Sequence, residues 1–299
     1  MSSIGFLLGG VIGDVLGSQV EGWKKTDIDR EYKGQVTNVK SDRYTDDTEM
    51  TLVLLRHLEK NSTIDSLKLI KEHAKEAKKY GYRGYSLRTR NLLIAALTSD
   101  PTPNESTTNG CLMRIGVMGL IDARIKGYPL LDCITRAIKY THNTQEAIAV
   151  CYVHCKTISF IIREHPTKKT LIEKVLEYAT RVSSYVYSKL RLMTLVLGMK
   201  TDESIESFIS GNNDLFQIEA IDCLTTAYYY FFKNYDDPEK AIIEAASTGG
   251  DTDTVAKVTG ELTGLVHGDK WIPDRWKNLE GWDELTSYGR KIDKQPHWK

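Results

Sequence analysis

Across 299 residues, 40 Lys and Arg balance 40 Asp and Glu, so the formal net charge is zero and no global field draws the chain to nucleic acid or to an anionic membrane. The length suffices for one large or two ordinary domains with a substantial core. Five cysteines without framework spacing argue against a disulfide scaffold and for a reducing, cytoplasmic setting, and a small-molecule or protein substrate fits the balanced charge best.

In chain order, the first element is the apolar run from Ile4 to Val20. It lacks a basic leader, carries Asp14 in its middle and is rich in Gly, so it reads as a buried helix rather than a signal peptide. Gly5, Gly9, Gly13 and Gly17 recur every four residues and lie on one helix face. Each interior Gly costs a helix about 0.8–1 kcal/mol against Ala, so the row predicts that another backbone approaches closely there. Residues 35–39 have strand character but are short. Asp46, with Glu49 three residues on and an apolar run behind it, predicts a helix start with a capping-box pattern, and Leu52, Leu55 and Leu58 continue at helical spacing.

From Lys68 to Arg90 basic residues outnumber acidic ones by eight to two, and Lys71, Lys75 and Lys78 beside Glu72 and Glu76 read as a solvated helix face. Helical spacing returns in Leu92, Ala95 and Ala96, in Ile134, Ala137 and Ile138, and from Ala147 to Ile162, with His142 expected to open that last helix. Cys151, His154 and Cys155 lie on its apolar side and read as core. Two sequons, at Asn61-Ser62-Thr63 and Asn104-Glu105-Ser106, have no secretion signal to give them meaning. A second glycine row, Gly260, Gly264 and Gly268, comes near the end. No repeat or low-complexity linker marks a boundary, so the expectation is an all-α fold in one domain over residues 1–299, with both glycine rows in the core and the chain's two ends meeting there.

Two short motifs carry most of the chemistry: Thr45-Asp46-Asp47-Thr48 and Gly249-Gly250-Asp251-Thr252-Asp253-Thr254. Each packs two carboxylates and two hydroxyls into four residues, an all-oxygen set of the kind that Mg²⁺, Mn²⁺ or Ca²⁺ selects, and neither holds the Cys or His that zinc prefers. Asp and Thr also cap helices, but capping uses one such side chain per helix. Paired carboxylates that converged without a cation would repel one another.

With these motifs in family order along most of the chain, the sequence resembles the ADP-ribosylglycohydrolases. The elements are Gly9-Gly10-Val11-Ile12-Gly13-Asp14-Val15-Leu16-Gly17 with Glu21, Tyr44-Thr45-Asp46-Asp47-Thr48, Asn109-Gly110-Cys111-Leu112-Met113-Arg114, Thr141-His142, and the Gly249–Thr254 motif. The resemblance implies a compact all-α fold and two Mg²⁺ or Mn²⁺ ions held by Thr45, Asp46, Asp47, Asp251, Asp253 and Thr254. It implies that Glu21 stands beside the scissile bond and acts with Asp46, Asp47 and Asp253 in catalysis. Asn109, Gly110, Cys111, Leu112 and Met113, with His142, Gly249 and Gly250, would hold ADP-ribose. Cys111-Leu112 departs from the small residues usual at those two places. The implied partners are ADP-ribose and an ADP-ribosylated protein or small molecule, with no membrane, and with nucleic acid not expected except as an ADP-ribosylated substrate. The aglycone and the oligomeric state stay open, as do a binding protein without turnover and a two-metal phosphoesterase.

Overall fold

The computed structural model describes residues 1–61, 63–199 and 217–294, and within them the chain forms fifteen α-helices and no strand. In chain order these are α1 (Ser3–Gly17), α2 (Lys25–Tyr32), α3 (Asp46–Lys60), α4 (Ser66–Lys79), α5 (Leu87–Ala96), α6 (Leu112–Ile115), α7 (Val117–Asp122) and α8 (Leu130–Ile138). There follow α9 (Gln145–Glu164), α10 (Lys168–Val182), α11 (Ser184–Leu197), α12 (Ala220–Lys233), α13 (Pro238–Ala246), α14 (Thr252–His267) and α15 (Trp282–Lys294). The all-α expectation is met. Residues 35–39 stay irregular, and Val36 is buried with its N–H given to the Ser247 hydroxyl at 2.8 Å. Ser62 of the first sequon lies outside the described residues.

The glycine rows explain the centre of the molecule. A Cβ added to Gly9 would lie 2.1 Å from the Gly260 carbonyl oxygen, one on Gly13 would lie 2.1 Å from that of Ala256, and one on Gly264 would lie 1.9 Å from that of Gly5. As one index rises by four its partner falls by four, so α1 and α14 run antiparallel with their backbones in direct contact. All the apolar residues of α1 are buried but Ile4, which is partly so. The stretch Ser3–Val20 is long and apolar enough to cross a membrane, but 83% of it is buried inside the protein. α15 closes over the start of α1, where Ser3 N–H reaches the Asp293 carboxylate at 3.2 Å.

The other helices wrap this pair. Six of them begin with a polar cap that accepts an N–H three residues on, at Asp65, Ser86, Thr144, Thr167, Ser183 and Asp237. On α4 the basic residues Lys75, Lys78 and Lys79 are exposed, the solvated face that the charge pattern indicated. The expected stripe on α5 is shifted. Leu93 and Ala96 are buried against Met50 and Met113, whereas Ala95 is exposed, because the short helix packs along only a narrow seam. Cys151, His154 and Cys155 are all fully buried in α9, as their periodicity indicated.

Candidate active site

Antiparallel pairing of α1 with α14 fixes where the aspartate motifs end up. The C-terminal end of α1 meets the N-terminal end of α14, so Gly17 stands against Thr252, whose hydroxyl donates to the Gly17 carbonyl at 2.8 Å. The start of α3 joins them through Asp14, a fully buried carboxylate on α1. It accepts the N–H of Thr45 at 3.1 Å, the N–H of Thr48 at 3.0 Å and the Thr48 hydroxyl at 2.6 Å.

The helix starts differ from the capping-box expectation. Thr45 is the cap of α3, with Oγ1 accepting the Asp47 N–H at 3.3 Å, and Asp46 is already the first helical residue. Glu49 does not reach back to the cap; it is buried and accepts the Tyr85 hydroxyl at 2.8 Å. Asp251 occupies the cap position of α14 without making a side-chain cap bond. Capping therefore consumes neither Asp46 nor Asp251, and their carboxylates are left for other work.

Asp46, Asp47, Asp251, Asp253 and Glu21 line one pocket of about 190 Å³, with Arg114 the one guanidinium or ammonium among the described residues of its wall. Burial pushes the pKa of Asp47 well above the ordinary carboxylate range, and the charges of Asp14, Asp46 and Asp251 push it further. Asp46 and Asp253 are raised in the same way, first by burial and then by their carboxylate neighbours. One oxygen of Asp47, Oδ2, has no hydrogen-bond partner among the described residues. Much of the Glu21 residue touches solvent, yet protein surrounds its carboxyl closely enough that lost hydration, then Asp251 and Asp14, push its pKa up to about 7. Among the described residues no three His, Cys, Asp or Glu side chains are already gathered into a cation-binding group.

Asn109 ties the remaining elements in. Its side-chain N–H₂ donates to Asp251 Oδ2 at 2.7 Å and to the Gln217 carbonyl at 2.9 Å, and its backbone N–H donates to the Ile218 carbonyl at 2.8 Å. Replacing Asn109 by Leu should lower kcat by about tenfold or more, because the Asp251 carboxylate loses the N–H₂ that orients it, with the melting temperature as the control. Wild-type kcat in that variant would mean that Asp251 orients itself.

Gly110, Met113 and His142 line the same pocket as the aspartates. His142 lies in the turn before α9 rather than opening it, since Thr144 caps that helix. Burial, and then the nearby Arg114, hold its imidazole well below the ordinary pKa, so it is neutral and shares a hydrogen bond with Thr108 Oγ1 at 3.0 Å. The structure does not bring the side chains of Cys111 and Leu112 to the pocket; both are fully buried in the core. Gly249 and Gly250 also stay out of its lining. Both have left-handed φ, and a Cβ on Gly249 would lie 2.8 Å from the Lys25 nitrogen. Gly250 exchanges backbone hydrogen bonds with Gly22 and Trp23 at 2.8 and 2.9 Å, which anchors the chain just after Glu21.

Met50, Gly84, Ser86, Thr89, Thr108, Asn109, Arg114, Thr141, Ile218 and Thr254 complete the lining. No spacing in the sequence ties Gly84, Ser86 or Thr89 to the aspartates, because it is the packing of α5 on α4 and of α4 on α3 that brings them there. A larger and more apolar cleft of about 370 Å³, lined by residues such as Leu58, Ile121, Tyr128 and Cys133, contains none of the expected site residues.

The ADP-ribosylglycohydrolase family model matches residues 2–298. The ADP-ribosyl-(dinitrogen reductase) glycohydrolase of Rhodospirillum rubrum is 26% identical over 286 residues, spanning 92% of this chain and 88% of that protein. ADP-ribosylhydrolase ARH3 of Gallus gallus is 23% identical over 289 residues, spanning 83% of this chain and 77% of that protein. A solved structure described as an ADP-ribosylglycohydrolase-related protein complex superposes with a TM-score of 0.75 at 24% identity, covering 99% of this chain and 98% of that one, which shows a shared fold. Since the family model spans nearly the whole sequence, the chain belongs to the ADP-ribosylglycohydrolase family.

Proposed function

We propose that this ADP-ribosyl glycohydrolase depends on two divalent cations, Mg²⁺ or Mn²⁺, and that it cleaves the bond between the anomeric carbon of ADP-ribose and a modified side chain or small acceptor. The observation that carries the reading is the meeting of five carboxylates from both ends of the chain in one pocket, with Asp47 Oδ2 unpartnered among the described residues. Such a set is costly to bury unless a cation offsets it. Its donors are all oxygen, which fits hard cations, and Thr45, Asp46, Asp47, Asp251, Asp253 and Thr254 would hold them. When bound, the cations would supply Lewis acidity toward ribose oxygens and an activated water.

The chain's own residues supply the remainder. Asp14 fixes the first ligand turn through the Thr45 and Thr48 N–H groups, and Asn109 orients Asp251. Glu21, an exposed residue that lines the pocket, would take or return the proton at the glycosidic oxygen or nitrogen. Gly110 leaves room beside His142, where a Cβ would come within 3.1 Å of the ring, so the backbone there can approach a ligand.

The test is to offer purified protein ADP-ribosylarginine, ADP-ribosylserine and α-configured ADP-ribose derivatives with Mg²⁺, Mn²⁺ or EDTA and to follow free ADP-ribose by mass spectrometry. Cation-dependent release from at least one substrate is expected. Release that persists in EDTA sinks the cation requirement, tight ADP-ribose binding without turnover marks a binding protein, and AMP or phosphate among the products marks a phosphoesterase.

A further inference from the structure

Residues 80–86, between α4 and α5, belong to none of the shared motifs, yet they cross the first aspartate pair. Gly84 has φ of +72°, and a Cβ built on it would lie 2.3 Å from Asp46 Oδ1 and 3.1 Å from the Thr45 Cβ. Both neighbours of Gly84 are tied down. Arg83 donates to both carboxylate oxygens of Glu280 and, at 3.2 Å, to the Tyr44 carbonyl. Its guanidinium stands 4.6 Å from the Tyr44 ring centre and 4.5 Å from that of Tyr80. Tyr85 donates its hydroxyl to Glu49 Oε1 at 2.8 Å, and the other Glu49 oxygen lies 3.7 Å from Arg83 Nε. Glu49 is buried one helical turn beyond Asp46 on α3. The segment is thus clamped to the helix turn that carries the aspartates, and at its point of closest approach to Asp46 the chain has no side chain.

We propose that Gly84 is a positioning residue for Asp46: the clamped backbone around it is a wall that sets where the Asp46 carboxylate stands, and a methyl group there displaces it. The role rests on the reading of Asp46 as a cation ligand given under Proposed function. A wall of this kind fixes a ligand by exclusion, whereas hydrogen-bonded partners fix one by attraction.

An internal control separates this role from ordinary backbone strain. Gly81, in the same segment, has φ of +76° and nothing within 4 Å of where its Cβ would be. Gly81→Ala therefore carries the same left-handed backbone penalty without the contact. Mn²⁺ binding is measured from the EPR signal of the free ion in wild type, Gly81→Ala and Gly84→Ala, with melting curves for each and a crystal structure of Gly84→Ala. The expected result is Mn²⁺ affinity at least about tenfold weaker in Gly84→Ala and within about twofold of wild type in Gly81→Ala, with the Asp46 carboxylate moved. Equal affinities in the two variants, or an unmoved Asp46, overturn the inference. Wild-type protein that binds no Mn²⁺ refutes the cation reading instead, and the position of Asp46 in Gly84→Ala then decides the wall by itself.

Discussion

Replacing Asp253 by Asn is expected to cut ADP-ribose release by more than about a hundredfold, beyond the roughly 10–100-fold that follows when only a partner behind a ligand is lost, while raising the melting temperature of the protein in EDTA. The two effects share one cause. Asp253 is buried beside Asp251, Asp47 and Glu21, and these neighbours together with lost hydration push its pKa well up. Without a cation an ionised carboxylate there opposes folding, so an uncharged isostere relieves the fold. Asn keeps an oxygen able to accept the Thr254 N–H, which Asp253 Oδ1 accepts at 2.9 Å. With Mn²⁺ the order should reverse, because binding to the native state stabilises wild type by mass action and the variant loses most of that gain. Circular dichroism melts in EDTA and in Mn²⁺, beside the release assay, check each part. Wild-type turnover in Asp253→Asn would end the aspartate-centred mechanism, and a lower melting temperature in EDTA would show that the bonds Asp253 accepts outweigh the repulsion it suffers.

Gly260→Ala should destabilise the fold by about 3 kcal/mol or more, toward the upper end for overpacked cores. On a scale of roughly 2–4 °C per kcal/mol for chains of this size, the melting temperature should fall by about 6–12 °C. The added methyl would sit 2.0 Å from the Gly9 carbonyl oxygen and 2.7 Å from its carbonyl carbon, both of them backbone atoms. No rotamer can relieve that. The helices α1 and α14 would have to separate, and with them Asp14 and Asp253, so activity should fall alongside stability. Thermal denaturation settles the matter: a loss of less than about 2 °C would mean that the two backbones are not held in the contact described. Gly10 offers a contrast, since its added Cβ would meet side-chain atoms of Glu261 and Lys257 at 3.0 Å and 3.2 Å, which can shift.

Much of this arrangement was legible in the residues because it rests on periodicity and local charge. The rows of Gly at every fourth place specify a helix face and a close partner, and the structure pairs them. The aspartate pairs exceed what capping can use, and the structure gives the α3 cap to Thr45 and leaves the cap position of α14 without a side-chain cap bond. Other features were out of reach. Cys111 and Leu112 follow directly after Gly110 but turn into the core, because the 3₁₀ turn that starts at Asn109 rotates successive side chains away from the pocket. The apparent stripe of Leu92, Ala95 and Ala96 was displaced because ten residues make too few turns to define a face sharply. Gly84 and Asn109 act on Asp46 and Asp251 across folds of the chain, and tertiary contacts of that kind leave no mark in local pattern.

Pairing the first helix with one near the other end also sets an order of events during synthesis. The Thr252 hydroxyl and the Gly17 carbonyl that it meets are 235 residues apart. At ribosomal rates of about 5–20 residues per second, α1 waits roughly 10–50 s for its partner to be made. Through that interval an apolar, glycine-rich helix has no backbone to rest against, and the carboxylates of the first motif have no counterpart. The pocket is therefore among the last parts of the molecule to exist. A chain stopped short of residue 251 would hold the waiting half of a site in a form open to chaperones and proteases rather than to substrate.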